Sequence, residues 1–199
     1  MLLGILRRQA AGGSLVEAAA VSIDGRICGR YTGGMVSHLF LALLAVHTEG
    51  RPQVGDVAPA FEAKTLAGAN VNSTSLRGQV TVVEFFASWC EPCREGLFDV
   101  LAIRKGLGQP FEVVVVAVEG DVPALQEFLA NHPLPTGVTV VLDREGAVAR
   151  AFGEDRLPTT FFLSEDIVIR HINRGHGAGF RARSTHWLTE MLAHRRRQK

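Results

Sequence analysis

Cys90 and Cys93 flank Glu91-Pro92, and a C-x-x-C unit supports only a few chemistries. Half of a zinc site would need a second C-x-x-C or a C-x-x-H, and the one cysteine left over is Cys28. A purely structural disulfide across so short a loop gains little from closure. A redox dithiol is the reading that remains, and its setting favours it. Val80 to Phe86 is a run of β-branched and aromatic residues that predicts a buried strand. Ala87, Ser88 and Trp89 form a short connector, and Arg94 to Gly106 predicts a helix with Leu97, Val100 and Leu101 on one side. The dithiol therefore stands where a strand hands over to a helix. A helix N-terminus offers unpaired N–H groups and partial positive charge, which favour thiolate over thiol. Cys90, at the cap, is expected to be the more exposed and more acidic thiol, with Cys93 one turn deeper. Pro92 falls in the first turn, where its missing N–H costs nothing.

Glu84 is the second residue with chemical potential. A carboxylate inside Val82-Val83-Glu84-Phe85-Phe86 is costly unless paired or functional. Strand alternation puts Glu84 and Phe86 on one face, with Val83 and Phe85 on the other. Because this strand leads straight into the dithiol loop, Glu84 is expected beneath the helix N-terminus. Burial should raise its pKa towards the range of a general acid/base, able to take the proton of Cys93.

The chain of 199 residues is long enough for one sizeable core plus an extension. Its 21 basic and 20 acidic residues give a formal charge of +1, so no nucleic-acid partner is implied. The basic run Arg195-Arg196-Arg197 with Lys199 reads as a solvated helix end. The seven histidines, His171 and His176 among them, lack ligand spacing; no metal is expected, and they default to the surface.

Residues 1–50 are set apart as a leader, with a possible signal or membrane-anchor segment. Its apolar part, Met35 to Val46, has 12 residues, too few for an ordinary span and suited to a signal-peptide core. Arg26 and Arg30 precede it. Three readings stay open: export or anchoring, a start of the native product at Met35, and a short buried helix. Residues 51–199 are expected to form the folded domain. Pro59–Thr65 and Ala69–Ser73 predict a hairpin, and Phe111–Val118 a strand buried on both faces. Asp121 caps a helix carrying Leu125, Phe128 and Leu129, followed by a strand at Val138–Leu142 and a short helix at Glu145–Phe152. Thr160–Leu163 and Ile167–Ile172 form a second hairpin, and Ser184–His194 the last helix, with Trp187, Leu188, Met191 and Leu192 inward. The order predicts an α/β sheet with helices on both faces.

Trp89-Cys90-Glu91-Pro92-Cys93, with Leu157-Pro158-Thr159-Thr160-Phe161 further on, resembles the thioredoxin fold, and more closely the TlpA/ResA-type thiol–disulfide oxidoreductases. Val54-Gly55-Asp56-Val57-Ala58-Pro59-Ala60-Phe61, Leu76-Arg77-Gly78-Gln79 and the insert at Asp121 to Leu142 match as well, so the resemblance covers about residues 52–194. It implies a thioredoxin-like central mixed β-sheet flanked by helices, with an N-terminal β-hairpin and a helix–strand insert. It also implies that Pro158 is a cis-proline facing the dithiol. Leu157 and Pro158, with Trp89, would then receive an extended substrate peptide. Many relatives carry a glutamate three residues after the second cysteine and a proline two further on. Those positions here are Gly96 and Phe98, and Glu95, a turn of ~100° away, cannot be assumed to substitute. Glu84, in turn, occupies the place where thioredoxins hold a buried acid behind the dithiol.

The expected function is thiol–disulfide exchange on protein cysteines in an oxidising compartment. It would need no cofactor beyond the Cys90–Cys93 pair, and would draw on a membrane or soluble electron donor. The resemblance implies apocytochrome c as substrate. The alternatives are a peroxiredoxin, which needs a threonine where Ala87 stands, and a non-catalytic interaction module.

Overall fold

The computed structural model describes residues 50–108 and 111–198. The segment 35–46, Cys28 and the rest of residues 1–49 lie outside them. The first strands are β1 (Glu62–Thr65), β2 (Asn70–Asn72) and β3 (Thr81–Phe86), with a 3₁₀ turn, Ser73–Leu76, before β3. Then follow α1 (Glu91–Leu107), β4 (Glu112–Ala117), α2 (Val122–Asn131), β5 (Val138–Leu142) and α3 (Ala147–Ala151). The chain ends with β6 (Thr159–Leu163), β7 (Ile169–Arg174) and α4 (Phe180–Gln198). The seven strands make one mixed sheet, ordered β2-β1-β5-β4-β3-β6-β7. β3 pairs with β4 in parallel and with β6 antiparallel. This central place leaves all six β3 residues buried, which accounts for the near-continuous apolar run.

Two cores lie on the two faces of the sheet. Val82 and Phe86 of β3 pack with Leu97, Val100 and Ile103 of α1, Leu125 and Phe128 of α2, and Leu188 and Leu192 of α4. Val83 and Phe85 pack on the other face with Val148 and Ala149 of α3, Phe152 and Phe161. There Phe85 and Phe161 meet Phe152 edge-on at 5.4 and 4.9 Å between ring centres. Such pairs add roughly 0.5–1.5 kcal/mol each beyond area burial. The alternation expected for β3 therefore holds, and Glu84 shares the α1/α4 face with Val82 and Phe86.

Three helix starts differ from the sequence expectation, that of α3 by only two residues, at Ala147 instead of Glu145. α1 begins at Glu91, directly after Cys90, because Pro92 suits a first turn and Cys90 itself serves as N-cap. α4 begins at Phe180 instead of Ser184. The Arg181-Ala182-Arg183 stretch carries little apolar pattern, but Phe180 is buried and anchors the added turn.

Candidate active site

β3 ends at Phe86, and the connector Ala87-Ser88-Trp89 delivers Cys90 to the cap of α1. The backbone N–H of Cys90 donates to the Ala87 carbonyl (3.1 Å), and the Cys90 carbonyl accepts from Cys93 (3.1 Å) and Arg94 (3.2 Å). Cys90 and Cys93 are joined as a disulfide with their Cα atoms 5.3 Å apart. Cys90 keeps 7% of its surface exposed and Cys93 none, the order expected of an attacking and a resolving thiol. Glu91 is solvent-facing, its carboxylate 3.8 Å from Arg94, and Pro92 fills the first turn. Trp89 projects from the connector with 72% exposure.

The connector is held by a residue that sequence reasoning missed. Glu119, just past β4 and 3% exposed, accepts from the Ser88 backbone N–H (3.0 Å) and hydroxyl (2.5 Å). Both carboxylate oxygens are thus used to fix the turn that carries Trp89 and Cys90. A glutamate after a strand is ordinary in sequence; only the return of β4 beside β3 gives it a purpose.

The Leu157–Pro158 peptide bond is cis, as the resemblance implied. Leu157 is half-buried against the core cluster that contains both cysteines. The Pro158 carbonyl accepts from the Gly175 N–H (2.7 Å), and buried Glu154 closes the same corner. Glu154 takes hydrogen bonds from Thr159 Oγ1 (3.0 Å) and from the Arg174 guanidinium (2.9 Å). Glu154 and Arg174 are further residues that the sequence did not single out.

Glu84 lies at the centre of the sheet, opposite Val115 of β4 and Thr160 of β6. It is wholly buried, and neither carboxylate oxygen has a hydrogen-bond partner among the described residues. Burial, reinforced by the negative charge of Asp99, pushes its pKa from 4.5 up to about 8. A carboxyl poised there can gain and lose a proton near neutral pH.

The structure also explains the departure at Gly96. A Cβ on Gly96 would lie 2.9 Å from Glu84 Oε1, so the carboxyl from the strand occupies the space that a side chain here would need. Glu95 does not take that place. It points outward, 61% exposed, and its Oε2 lies 3.3 Å from His176 Nδ1. His176 itself departs from the surface default: its side chain is only 15% exposed, wedged between Glu95 and Asp99. His171 is likewise not free on the surface. It stacks on Trp187 at 4.4 Å, and burial lowers its pKa.

Comparison with known proteins agrees with this geometry. The Redoxin family pattern matches residues 53–183. The thiol-disulfide oxidoreductase ResA of Oceanobacillus iheyensis is 28% identical over 130 residues, which span 62% of this chain and 66% of that one. The thioredoxin-like protein YneN of Bacillus subtilis is 29% identical over 126 residues, 62% of this chain and 72% of that one. The solved structure of MTB dsbF in its mixed oxidized and reduced forms superposes with a TM-score of 0.58 at 30% identity. That match covers 66% of this chain and 94% of the other.

Proposed function

Because the chain belongs to the Redoxin family, and within it resembles the TlpA/ResA-like members, we propose that it is a thiol–disulfide oxidoreductase acting on protein disulfides and thiols. The observation that carries this reading is the Cys90–Cys93 disulfide at the N-terminus of α1, with the buried Glu84 carboxyl against Gly96, one turn on from Cys93. In the reducing direction the Cys90 thiolate attacks a substrate disulfide. One substrate sulfur leaves as thiolate and the other stays bonded to Cys90. Glu84 then accepts the proton of Cys93, whose sulfur attacks Cys90 and releases the second substrate thiolate. The protein is left as the disulfide, and an external dithiol, membrane-bound or soluble, restores it. The substrate peptide lies across exposed Trp89 and pairs with the backbone at Leu157–Pro158.

The finer task follows from the resemblance: keeping the haem-binding cysteines of apocytochrome c reduced, outside the cytoplasm. Support for the location is the apolar stretch Met35–Val46 behind Arg26 and Arg30. Among the described residues no helix is long and apolar enough to cross a membrane. Alkaline phosphatase fused after Pro52 should be active; an inactive fusion removes this part of the reading.

Two assays test the activity. The reduced chain should reduce insulin, and a C-x-x-C-H peptide in disulfide form should react faster than insulin does. Cys93→Ser should trap a mixed disulfide, whereas Cys90→Ser should not. Equal alkylation of the two thiols by iodoacetamide would sink the division of labour.

A further inference from the structure

Glu84 can serve Cys93 repeatedly only if its proton reaches solvent, yet its carboxyl is enclosed on every side. β4 presents Val115 and β6 presents Thr160, neither of them a proton carrier at neutral pH. α1 presents Gly96, and beyond Gly96 stands His176, from the loop between β7 and α4. A methyl group at Gly96 would lie 2.9 Å from Glu84 Oε1 and 3.7 Å from His176 Cδ2. The carboxyl and the imidazole thus approach the same side of Gly96, a residue with no side chain to part them. One water can link the carboxyl to the ring there.

From His176 the path outward consists of polar groups. Its Nε2, bonded to the Cδ2 that faces Gly96, is 3.1 Å from Asp99 Oδ2. Its Nδ1 is 3.3 Å from Glu95 Oε2, and Glu95 is 61% exposed. Glu95 and Asp99 are carboxylates at i and i+4 on α1, a spacing that is repulsive on its own. The imidazole between them, and Arg181 of α4 at 3.7 Å from Asp99, offset that repulsion. Phe180 meets the His176 ring edge-on at 5.1 Å and fixes its plane. An imidazole held by both nitrogens can accept a proton at one and release it from the other.

We propose that His176 is the outlet through which Glu84 exchanges its proton with solvent, acting as a positioning and relay residue with Asp99 and Glu95. When Cys93 resolves a mixed disulfide, its proton moves to Glu84 as the Cys90–Cys93 bond forms and the substrate thiolate leaves. That proton crosses the space at Gly96 to the Asp99–His176 pair, and His176 Nδ1 passes one on to Glu95 and water. The relay moves protons only; the electrons pass from the Cys90–Cys93 dithiol to the substrate sulfur in the exchange itself, and no other reactant is needed. In the reverse direction the same chain delivers a proton to Glu84. This assignment rests on Glu84 being the acid/base of the reading above.

The test uses the full chain as the disulfide, without substrate, so that it stands apart from any failure of the reductase assays. The carbonyl band of protonated Glu84, identified by its loss in Glu84→Gln, is followed by infrared after a jump from pH 6 to pH 10. In the wild type its decay should be fast and indifferent to added imidazole. In His176→Ala it should slow at least tenfold, and free imidazole should restore it in proportion to concentration. In His176→Gln, which fills the site but carries no proton, it should slow similarly without rescue. Wild-type decay in either variant, or a slow His176→Ala that imidazole leaves unchanged, would overturn the proposal.

Discussion

Glu84 and Glu154 are both glutamates removed from water, and they are placed in opposite ways. Glu154 has each oxygen engaged, one by Thr159 and the other by Arg174, beside the cis Leu157–Pro158 bond. Glu119, which binds Ser88 through both oxygens, belongs with it. Glu84 has no such partner among the described residues, and its one charged influence is the like-signed Asp99. A buried carboxylate with both oxygens hydrogen-bonded holds a loop in place, because moving it would strand its partners. A buried carboxyl with none is held in place by packing alone and stays free to change its protonation. The same residue type thus clamps two loops of the site and, in the proposed mechanism, carries a proton behind it.

Glu84→Gln should separate the two roles most sharply. The amide keeps the shape and loses the base, so resolution of the mixed disulfide should slow by roughly 10²–10⁴-fold, the usual range for losing a general base. Stopped-flow measurement should show a Cys90-linked intermediate accumulating, while alkylation of Cys90 is nearly unchanged. Stability should move the other way. Below about pH 4.5 the folded and unfolded chains both hold the Glu84 proton. Between there and about 8 the unfolded chain releases it and the folded chain keeps it, so wild-type stability falls as pH rises. Above about 8 that loss is complete, on the order of 3–5 kcal/mol. Glu84→Gln should lack this slope in guanidinium unfolding at pH 5 and pH 9. Parallel pH profiles would place the titration elsewhere.

Glu154→Gln should do the reverse, costing stability of about 2–3 kcal/mol by leaving Arg174 without its countercharge. The figure sits at the low end for a buried pair because Arg174 keeps 30% of its side chain exposed. Unfolding should report the loss, and peptide affinity should weaken, since the corner at Pro158 loosens. An unchanged midpoint would mean that the clamp is redundant.

Glu119→Ala comes next, at about 1–2 kcal/mol, for two hydrogen bonds to a partly buried serine. Its signature is local: Trp89 emission and the Cys90 alkylation rate should both change, with the pH slope assigned to Glu84 kept intact. A lost slope would break the distinction between clamp and carrier.

These roles were unequally legible in the sequence. The dithiol, its strand and its helix are local patterns, and Glu84 stood out because a charge interrupted an apolar run. Pro158 was legible through its motif. Glu119, Glu154 and His176 were not, since each acts on residues 31, 20 and 77 positions away, and each is a type common on surfaces. The strand order β2-β1-β5-β4-β3-β6-β7 brings them into place, and no periodicity encodes that order. Gly96 departs from the pattern of relatives, and the reason lies across the core in the carboxyl that fills its place.

Gly96→Ala has the smallest expected effect on stability and bears most directly on that last point. Alanine within a helix is favoured over glycine by up to about 1 kcal/mol. Against this, the new methyl would lie 2.9 Å from Glu84 Oε1, closer than contact allows, so the carboxyl must move. It is the end of a flexible side chain with no hydrogen bond to break, so the displacement should be cheap. The two effects nearly cancel, and the unfolding midpoint should change by the equivalent of less than about 1 kcal/mol. The methyl nonetheless stands against both Glu84 and His176, where glycine now brings no side chain. Resolution of the mixed disulfide should therefore slow at neutral pH in a protein as stable as the wild type, and Cys90 alkylation should be unaffected. A large loss of stability would mean that Glu84 cannot shift, and so is held as firmly as Glu154. Wild-type resolution would mean that the space at Gly96 carries no protons.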